Sequence, residues 1–220
     1  MLEKPCLIVS CQARDDNPLT GAIYMQAMAL AALQGGADAI RANGAADIVA
    51  IRRITDKPII GLLKKDLLGF EVYITPDLAS VQEIAEAGAD YIALDVTHRY
   101  RPVPLEVLFA KIHSLGKKVF ADCASLSDAT RAAALGADLV STTMAGYTPE
   151  TQGSKTSQPD FDLLEQICHS LTIPTIAEGR FWTPEQVQQA FRLGARGVVV
   201  GTAITNPRDI TKRFKAALPD

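Results

Sequence analysis

Residues 87–97 read AGADYIALDVT, and this stretch contains the junction from which the fold can be worked out. Gly88 ends an alanine-rich, helix-like segment, at the left-handed position that glycine favours after a helix. The run at 91–97 follows at once and is nearly continuously apolar, which is typical of a strand covered on both faces, as in a parallel sheet. A helix therefore passes directly into a buried strand.

The same junction occurs four times, which makes it an internal repeat. Between its copies, a proline or a Gly-Lys pair breaks the preceding helix before an apolar run begins, as in DKPIIGLL, GKKVFAD and TIPTIAEG. The four copies are GGADAI (35–40), AGADYI (87–92), LGADLV (135–140) and LGARGV (193–198). Counting both kinds gives eight predicted strands, at 6–12, 39–44, 58–64, 91–97, 118–125, 139–146, 174–180 and 197–204.

Apolar residues at helical spacing fill the gaps between these strands, for example at 23–34 and 126–136. Thr183 before Pro184 predicts an N-cap with proline at the first helical position. Eight β/α units predict an α/β fold, a (β/α)8 barrel formed as one domain by residues 1–220. The alternative is an open doubly wound sheet, but no G-x-G-x-x-G follows the first strand, and eight units exceed what an open fold of this size usually carries.

Composition excludes several classes of function. The 220-residue chain has a net charge of −3 and no long basic run, so no nucleic-acid partner is expected; the basic residues at 211–215 indicate the solvated last turn of a terminal helix. No segment approaches ~18 uninterrupted apolar residues, so none should span a membrane, and the N-terminus does not resemble a secretory signal. The four cysteines lack CxxC spacing and the three histidines are scattered, which predicts reduced thiols in a cytoplasmic protein and no metal site.

Polar residues at the C-terminal ends of the strands are the candidates for the active site, because barrels build their sites there. Charged side chains inside apolar runs need a reason, since burying an unpaired charge is costly. Each of them could instead belong to an ion pair that only holds strands together. Four residues qualify: Arg41, Asp95, Asp122 and Glu178.

Two lysines end the third predicted strand, PIIGLLKKD (58–66). Alternation puts Lys64 on the face of Ile60 and Leu62, and Lys65 on the opposite face. Both faces are apolar, so alternation alone leaves open which lysine points into the barrel. Only one of them can do so.

The last two predicted strands end in glycines, in EGRF (178–181) and VGTAITNP (200–207). In barrels the loops after strands seven and eight often bind a phosphate at the N-terminus of a short helix. Gly201, next to Thr202, would let backbone N–H groups approach phosphate oxygens, and Gly179 and Arg180 would do the same from the neighbouring loop, with a charge-assisted contact from Arg180.

Nearly the whole chain resembles the N-acylglucosamine-6-phosphate 2-epimerases, also called N-acetylmannosamine-6-phosphate 2-epimerases. The motifs that carry the resemblance are LIVSCQA, GGADAIRANG, PIIGLLKKD, VYITP, YIALDVTHRYRP, VSTTMAGYTP, IPTIAEGRFWTPEQ and VVVGTAIT. The resemblance implies the same barrel and the interconversion of N-acetylmannosamine 6-phosphate and N-acetylglucosamine 6-phosphate in sialic acid catabolism. It implies no cofactor and no metal.

Matching motif by motif, the resemblance makes Lys64 the catalytic lysine and Glu178 its acidic partner. It adds Gln12, Arg41 and Asp122 as substrate-binding residues. A lysine base needs a pKa lowered by burial or by nearby positive charge, which Arg41 could supply, whereas Glu178 would raise that pKa. Three routes stay open in the sequence: Lys64 alone carries the proton, Lys64 and Glu178 act from opposite faces of C2, or a hydroxyl of the substrate takes part.

This chain departs from the family pattern at Asn206, where many members have an arginine, and Arg208 is a candidate to replace it. LLGFE after the lysines and Phe181-Trp182 after EGR also differ from the usual residues. Two rival functions are a Schiff-base lysine aldolase or lyase and a phosphosugar-binding protein without turnover. Exposed apolar residues near the terminal helix would be compatible with a homodimer.

Overall fold

Eight parallel strands close into a barrel in sequence order, β1 pairing with β8, in this computed structural model, which describes residues 4–14, 16–154 and 157–219. The strands are β1 (Cys6–Cys11), β2 (Ala39–Asn43), β3 (Ile59–Leu62), β4 (Tyr91–Asp95), β5 (Lys118–Asp122), β6 (Leu139–Ser141), β7 (Thr175–Glu178) and β8 (Gly197–Val200). The predicted barrel is confirmed.

Helices follow every strand and cover the outside of the barrel. They are α1 (Ala22–Gln34), α2 (Ala45–Arg52), α3 (Leu78–Glu86), α4 (Leu105–Ser114), α5 (Leu126–Ala134), α6 (Phe161–Ser170), α7 (Pro184–Arg192), α8 (Thr202–Thr205) and α9 (Pro207–Lys215). The repeat glycines have left-handed φ angles, 102° at Gly88 and 91° at Gly136 among them. Thr183 caps α7 in a capping box with Gln186, and Pro184 is the first helical residue, both as expected.

The core has two layers, which fixes the direction of each strand residue. Ile60 and Leu62 pack inside the barrel with residues such as Phe120, whereas Ile59 belongs to the layer between strands and helices. A Cβ at Gly61 would lie 2.7–2.8 Å from side-chain atoms of Ile48 on α2, Ile84 on α3 and Ala89 in the turn before β4, so β3 runs too close to them for a larger residue.

All eight predicted strands end earlier in the structure than expected, and the sixth and eighth do so by about one helical turn or more. Residues 142–146 are not a strand, because the Thr142 hydroxyl binds the backbone of Glu178 in place of a ladder hydrogen bond. Residues 202–204 are helical, because Gly201, with φ −107° and ψ −98°, ends β8 and begins α8. Both corrections fall at the end of the barrel where polar residues collect.

The terminal helix α9 differs from the other helices in its burial, since none of its residues is buried. Its last turn carries Lys212, Arg213 and Lys215, which confirms the interpretation of the basic residues there. Phe214 is 74% exposed on this helix. No helix within the described ranges is long and apolar enough to cross a membrane.

Candidate active site

A cavity of about 1060 Å³ opens at the C-terminal ends of the strands. Among the residues that line it are Gln12, Arg41, Lys64, Glu178, Gly179, Arg180, Gly201 and Thr202. Of the candidate residues, Asp95 and Asp122 are missing from the lining. Asp122 has a fully buried side chain and is bonded to Arg41, which does line the cavity.

The structure places Lys64, not Lys65, at this cavity. The Lys64 ammonium donates a hydrogen bond of 2.8 Å to Oε1 of Gln12. Lys65 instead forms an ion pair of 2.8 Å with Asp77, the residue that caps the N-terminus of α3. The inward face of β3 therefore continues from Leu62 to Lys64.

The backbone of Lys64 is held on both sides, although the lysine lies beyond the last residue of β3. Its N–H donates to Oδ1 of Asn43 at 2.8 Å, and it forms an antiparallel bridge with Ile74. Flanking hydrogen bonds join Lys65 N–H to the Tyr73 carbonyl and Thr75 N–H to the Leu63 carbonyl. These contacts fix where the lysine side chain starts.

Gln12 is oriented by a second partner. Its amide Nε2 donates to Oγ of Ser10 at 2.9 Å, which turns the carbonyl oxygen toward Lys64. Ser10 pairs with Arg41 in the register of β1 and β2, so this chain of contacts starts beside the strand residue that carries the Arg41 side chain.

A buried charge network forms the floor of the cavity. Arg41 binds Asp122 through two hydrogen bonds, of 3.1 Å from NH1 and 2.7 Å from NH2. Its NH1 also lies 3.3 Å from Oε2 of Glu178, whose side chain is 14% exposed. The guanidinium stacks on the ring of Phe120, with Cζ 5.0 Å from the centroid. One cation thus serves two carboxyl groups.

The cavity shifts the pKa values of Lys64 and Glu178 toward each other. Desolvation by the cavity walls lowers the pKa of Lys64, although its side chain remains open to the cavity solvent, and the charge of Arg41 lowers it further. Glu178 opposes this effect but does not reverse it. Burial raises the pKa of Glu178 more than Arg41 lowers it. A more acidic ammonium group and a more basic carboxylate therefore share one cavity.

The two glycine-rich loops lie side by side at one edge of the cavity. Gly179 and Arg180 have left-handed φ angles of 108° and 61°. The backbone at Gly201 lies beside β1, where an added Cβ would be 3.4 Å from Cβ of Ser10, an ordinary van der Waals contact. Because α8 begins at Thr202, its first N–H groups have no acceptor within the helix and are available to an anion.

Arg180 is already engaged through part of its guanidinium. Its Nε donates to the carbonyl of Gln158 at 2.6 Å and its NH1 to that of Ala145 at 2.8 Å. The side chain also lies over the ring of Tyr147, with Cζ 6.0 Å from the centroid. Arg180 thus joins the loops after β6 and β7.

Residues after β8 extend the same edge. Asn206 caps α9 by hydrogen bonds to the side chain and the backbone N–H of Asp209. At this position the chain therefore has a helix cap in place of the family's arginine. Arg208 lines the cavity and binds Asp16 at 3.1 Å. Trp182 lines it too, and Cζ of Arg213 lies 4.5 Å from its ring centroid.

Asp95, the fourth charged candidate, belongs to another network. It pairs with Arg99 and accepts hydrogen bonds from the backbone N–H and hydroxyl of Thr97. Arg101 binds the backbone carbonyls of Asp95 and Thr97, which closes the loop after β4. None of these four residues lines the cavity.

The cysteines and potential metal ligands carry no site of their own among the described residues. All four cysteines are free, and burial raises the pKa of Cys6 to about 11 and that of Cys11 to about 12. Within the described part of the chain, no group of three His, Cys, Asp or Glu side chains could hold a metal ion.

A family model described as "Putative N-acetylmannosamine-6-phosphate epimerase" matches residues 25–220. The chain belongs to this epimerase family. Curated members named "Putative N-acetylmannosamine-6-phosphate 2-epimerase" include one from Clostridium perfringens strain 13, 47% identical over 94% of both chains. Another, from Caldanaerobacter subterraneus subsp. tengcongensis, is 46% identical and covers 94% of this chain and 89% of its own.

Solved structures agree with the membership of the epimerase family. The N-acetylmannosamine-6-phosphate 2-epimerase from Clostridium perfringens superimposes with a TM-score of 0.95 at 45% identity, over 99% of this chain and 95% of that one. A thiamine phosphate pyrophosphorylase from Pyrococcus furiosus, 19% identical with a TM-score of 0.64 over 96% and 92% of the two chains, shares the fold alone.

Sequence reasoning missed several residues that line the cavity of this family member. They are apolar, aromatic or outside the predicted strands, so neither charge in a strand nor a strand end marked them. Arg14 lies two residues beyond the first predicted strand and could have been found by extending the search that far past each strand end. The missed lining residues include Arg14, Asn17, Tyr73, Met144, Tyr147 and Trp182.

Proposed function

We propose that this protein interconverts N-acetylmannosamine 6-phosphate and N-acetylglucosamine 6-phosphate by removing and returning the proton at C2. The observation that carries the proposal is the pairing of Lys64, with its lowered pKa, and Glu178, with its raised pKa, in one cavity. The proposal takes its substrate from the family to which the chain belongs. Such chemistry belongs to the catabolism of sialic acid and other amino sugars.

The reaction needs a base because the C2 proton is only weakly acidic, even beside the open-chain aldehyde. Lys64 in its neutral form can take this proton, and its lowered pKa makes that form accessible nearer to neutral pH. Negative charge then spreads from C2 to the aldehyde oxygen. The cationic Arg41 in the floor of the cavity favours that enolate over the neutral aldehyde.

Glu178 can serve the other face of C2. Strand β7 is four strands from β3 in either direction around the barrel, so Glu178 and Lys64 start from opposite walls. Inversion at C2 requires that the proton leave one face and return to the other. A base on each wall meets this requirement without moving the sugar.

Phosphate binding is proposed for the edge formed by the loops after β7 and β8. Gly179, Arg180, Gly201 and Thr202 would supply backbone N–H groups and a partly engaged guanidinium. Arg208 is the further cation at this edge, and its place in the cavity lining supports it as the substitute for the arginine missing at 206. Gln12 would contact the sugar near Lys64, and Asp122 would act through Arg41.

The experiment that tests the function is proton NMR of N-acetylglucosamine 6-phosphate in deuterated water with the purified protein. We expect conversion to the manno epimer, with deuterium at C2 of the product from the first turnovers. A Schiff-base enzyme would instead be trapped on Lys64 by borohydride in the presence of substrate. A binding protein without turnover would give neither conversion nor exchange, and that result would contradict the proposal.

The same proposal includes a homodimer built on the terminal helix. No residue of α9 is buried, and Phe214 is 74% exposed. Leu7 and Val9 of β1 border a separate apolar cavity of about 300 Å³ between α1 and α8. Light scattering should give twice the mass of one chain for the wild type and one mass for Phe214→Glu. Val107→Glu, at an exposed apolar site on α4, is the matched control and should remain dimeric.

The free cysteines suit a reducing, cytoplasmic location.

A further inference from the structure

The hydroxyl of Thr143 lies between two carboxyl groups at the edge of the active site. Its Oγ1 is 2.7 Å from Oδ1 of Asp122 and 3.1 Å from Oε2 of Glu178. Oγ of Ser141 is a third neighbour, at 2.8 Å. A hydroxyl has one proton to donate and two lone pairs, so Thr143 can donate to one carboxylate and accept from the Ser141 hydroxyl, or from the other carboxyl group when that group is protonated.

Arg41 bridges the same two carboxyl groups from the other side. Its NH1 contacts both Oδ1 of Asp122 and Oε2 of Glu178. Both contacts to Glu178, from Arg41 and from Thr143, go to the same oxygen, Oε2. Since Oε2 is held against these two groups, Oε1 is directed away from them. The pair therefore sets the rotation of the Glu178 carboxyl.

Thr142, the preceding residue, holds the backbone of Glu178 instead. Its hydroxyl donates to the Glu178 carbonyl at 2.9 Å and accepts from the Glu178 N–H at 3.0 Å. Two successive threonines after β6 thus fix one glutamate at two levels. Thr142 sets where the residue starts, and Thr143 sets how its carboxyl is turned.

We propose that Thr143 is a positioning residue of the active site, whose hydroxyl holds the Glu178 carboxyl apart from Asp122 and turned for proton transfer. The proposal rests on the proposed function of Glu178 as a base. The hydrogen bond from Thr143 lowers the pKa of Glu178, against the effects of burial and of the negative Asp122. Without the hydroxyl, the two carboxyl groups face each other with Arg41 as the shared partner, and Glu178 becomes harder to ionise.

The other titratable groups around Glu178 come from several elements and remain in place when Thr143 is changed. Because they are the same in each variant compared, a difference in pH dependence between variants at position 143 reports the hydroxyl alone. These groups are Arg41 from β2, Asp122 from β5 and Lys64 beyond β3, with Tyr73 acting on Arg41 and Arg14 acting on Lys64.

The test compares Thr143→Val, which removes the hydroxyl but keeps the shape, with Thr143→Ser, which keeps the hydroxyl. For Thr143→Val we expect kcat to fall about 10- to 100-fold, as for loss of a charge-assisted hydrogen bond, with KM changed less. In the direction in which the Glu178 carboxylate removes the C2 proton, the acidic limb of the pH–rate profile should move to higher pH, because activity in that direction is lost as the pH falls through the pKa of Glu178. Thr143→Ser should restore both the rate and the limb.

A purely structural role would lower activity or stability and leave the acidic limb where it is, and that outcome would overturn the proposal. Equal behaviour of the valine and serine variants would overturn it as well. If Thr143→Val does not fold, Thr143→Ala removes the same hydroxyl with less bulk.

A second readout does not depend on turnover. Carbon-13 NMR of protein labelled at the glutamate carboxyls, with Glu178→Gln to assign the signal, follows the titration of Glu178 directly. The pKa should be higher in Thr143→Val than in the wild type and in Thr143→Ser. If the wild type does not interconvert the sugar phosphates, the proposed function fails while this titration still tests the position of the carboxyl. An unchanged titration would reject the role of Thr143.

Discussion

Two buried arginine–carboxylate pairs stand at the same end of the barrel, and they do different work. Arg41 on β2 binds Asp122 on β5, across the inside of the barrel. Arg99 binds Asp95 four residues earlier in the chain, at the end of β4. The carboxylate of each pair is fully buried.

The difference lies in the third partner. Arg41 also contacts Glu178, which lines the cavity, so its charge acts on a group that can meet a ligand. Asp95 is shared with Thr97, so that pair closes a loop. A buried charge at a strand end therefore indicates a functional site only when the pair crosses the barrel and reaches the cavity.

The largest expected effect is on the lysine at the cavity. Lys64→Met should lower the rate of C2 exchange by about 10³-fold or more, because it removes a group that acts in general acid–base catalysis. Lys65→Met is the matched control: Lys65 pairs with the half-buried Asp77 away from the cavity, so the variant should keep most of the rate and lose about 0.5 kcal/mol of stability or less. C2 exchange measured by NMR distinguishes the two variants. Loss of exchange in Lys65→Met but not in Lys64→Met would show that Lys65, not Lys64, acts at C2.

Replacing each of the two arginines in turn by methionine tests the comparison between the two pairs. Arg41→Met leaves Asp122 buried without its cation and should cost about 3–5 kcal/mol of unfolding free energy, together with most of kcat. Arg99→Met should cost about 1–3 kcal/mol, because Asp95 keeps its hydrogen bonds from Thr97, and should leave most of kcat. Urea unfolding and steady-state kinetics on both variants measure the two quantities. A folded Arg99→Met protein as inactive as Arg41→Met would break the distinction.

The smallest expected effect is the dependence of stability on pH through Glu178. Its pKa is raised in the folded protein, so the folded state binds this proton more tightly than the unfolded state does. Stability from this group is therefore present at low pH and is lost as the pH rises through the folded pKa. Relative to the wild type, Glu178→Gln should gain stability across that range and not below it.

Urea unfolding at a series of pH values checks this sign. Glu165→Gln, at an exposed position on α6, is the control and should leave the difference from wild type flat with pH. A Glu178→Gln variant that loses stability as the pH rises would mean that Arg41 stabilises the carboxylate more than burial destabilises it.

The barrel could be predicted from the sequence because each unit repeats one local rule, a glycine that ends a helix before a buried strand. The ends of the strands could not, since they depend on distant partners. Thr142 ends β6 by binding β7, a contact between residues 36 apart in the chain. Near Gly201, a single apolar run changes from strand to helix. The sequence does not mark this change, because the residues on both sides of it are apolar in the same way.

The site was predictable in its residue types but not in its connections. Arg41, Asp95, Asp122 and Glu178 looked alike in the sequence, and only their partners in space separated them. Lys64 was chosen by resemblance, because both faces of β3 are apolar. Tyr73 and Met144 gave no signal, because aromatic and apolar side chains in a cavity wall look like core.

Trp182 is the only tryptophan in the chain, and its position gives the protein a built-in optical probe. Its ring borders the cavity on one side and stacks with Arg213 of α9 on the other. The fluorescence of this single indole will therefore respond to two separate events, the binding of a sugar phosphate and any movement of the terminal helix. Arg213→Met would separate the two signals, since it removes the contact with α9 and leaves the side that faces the cavity.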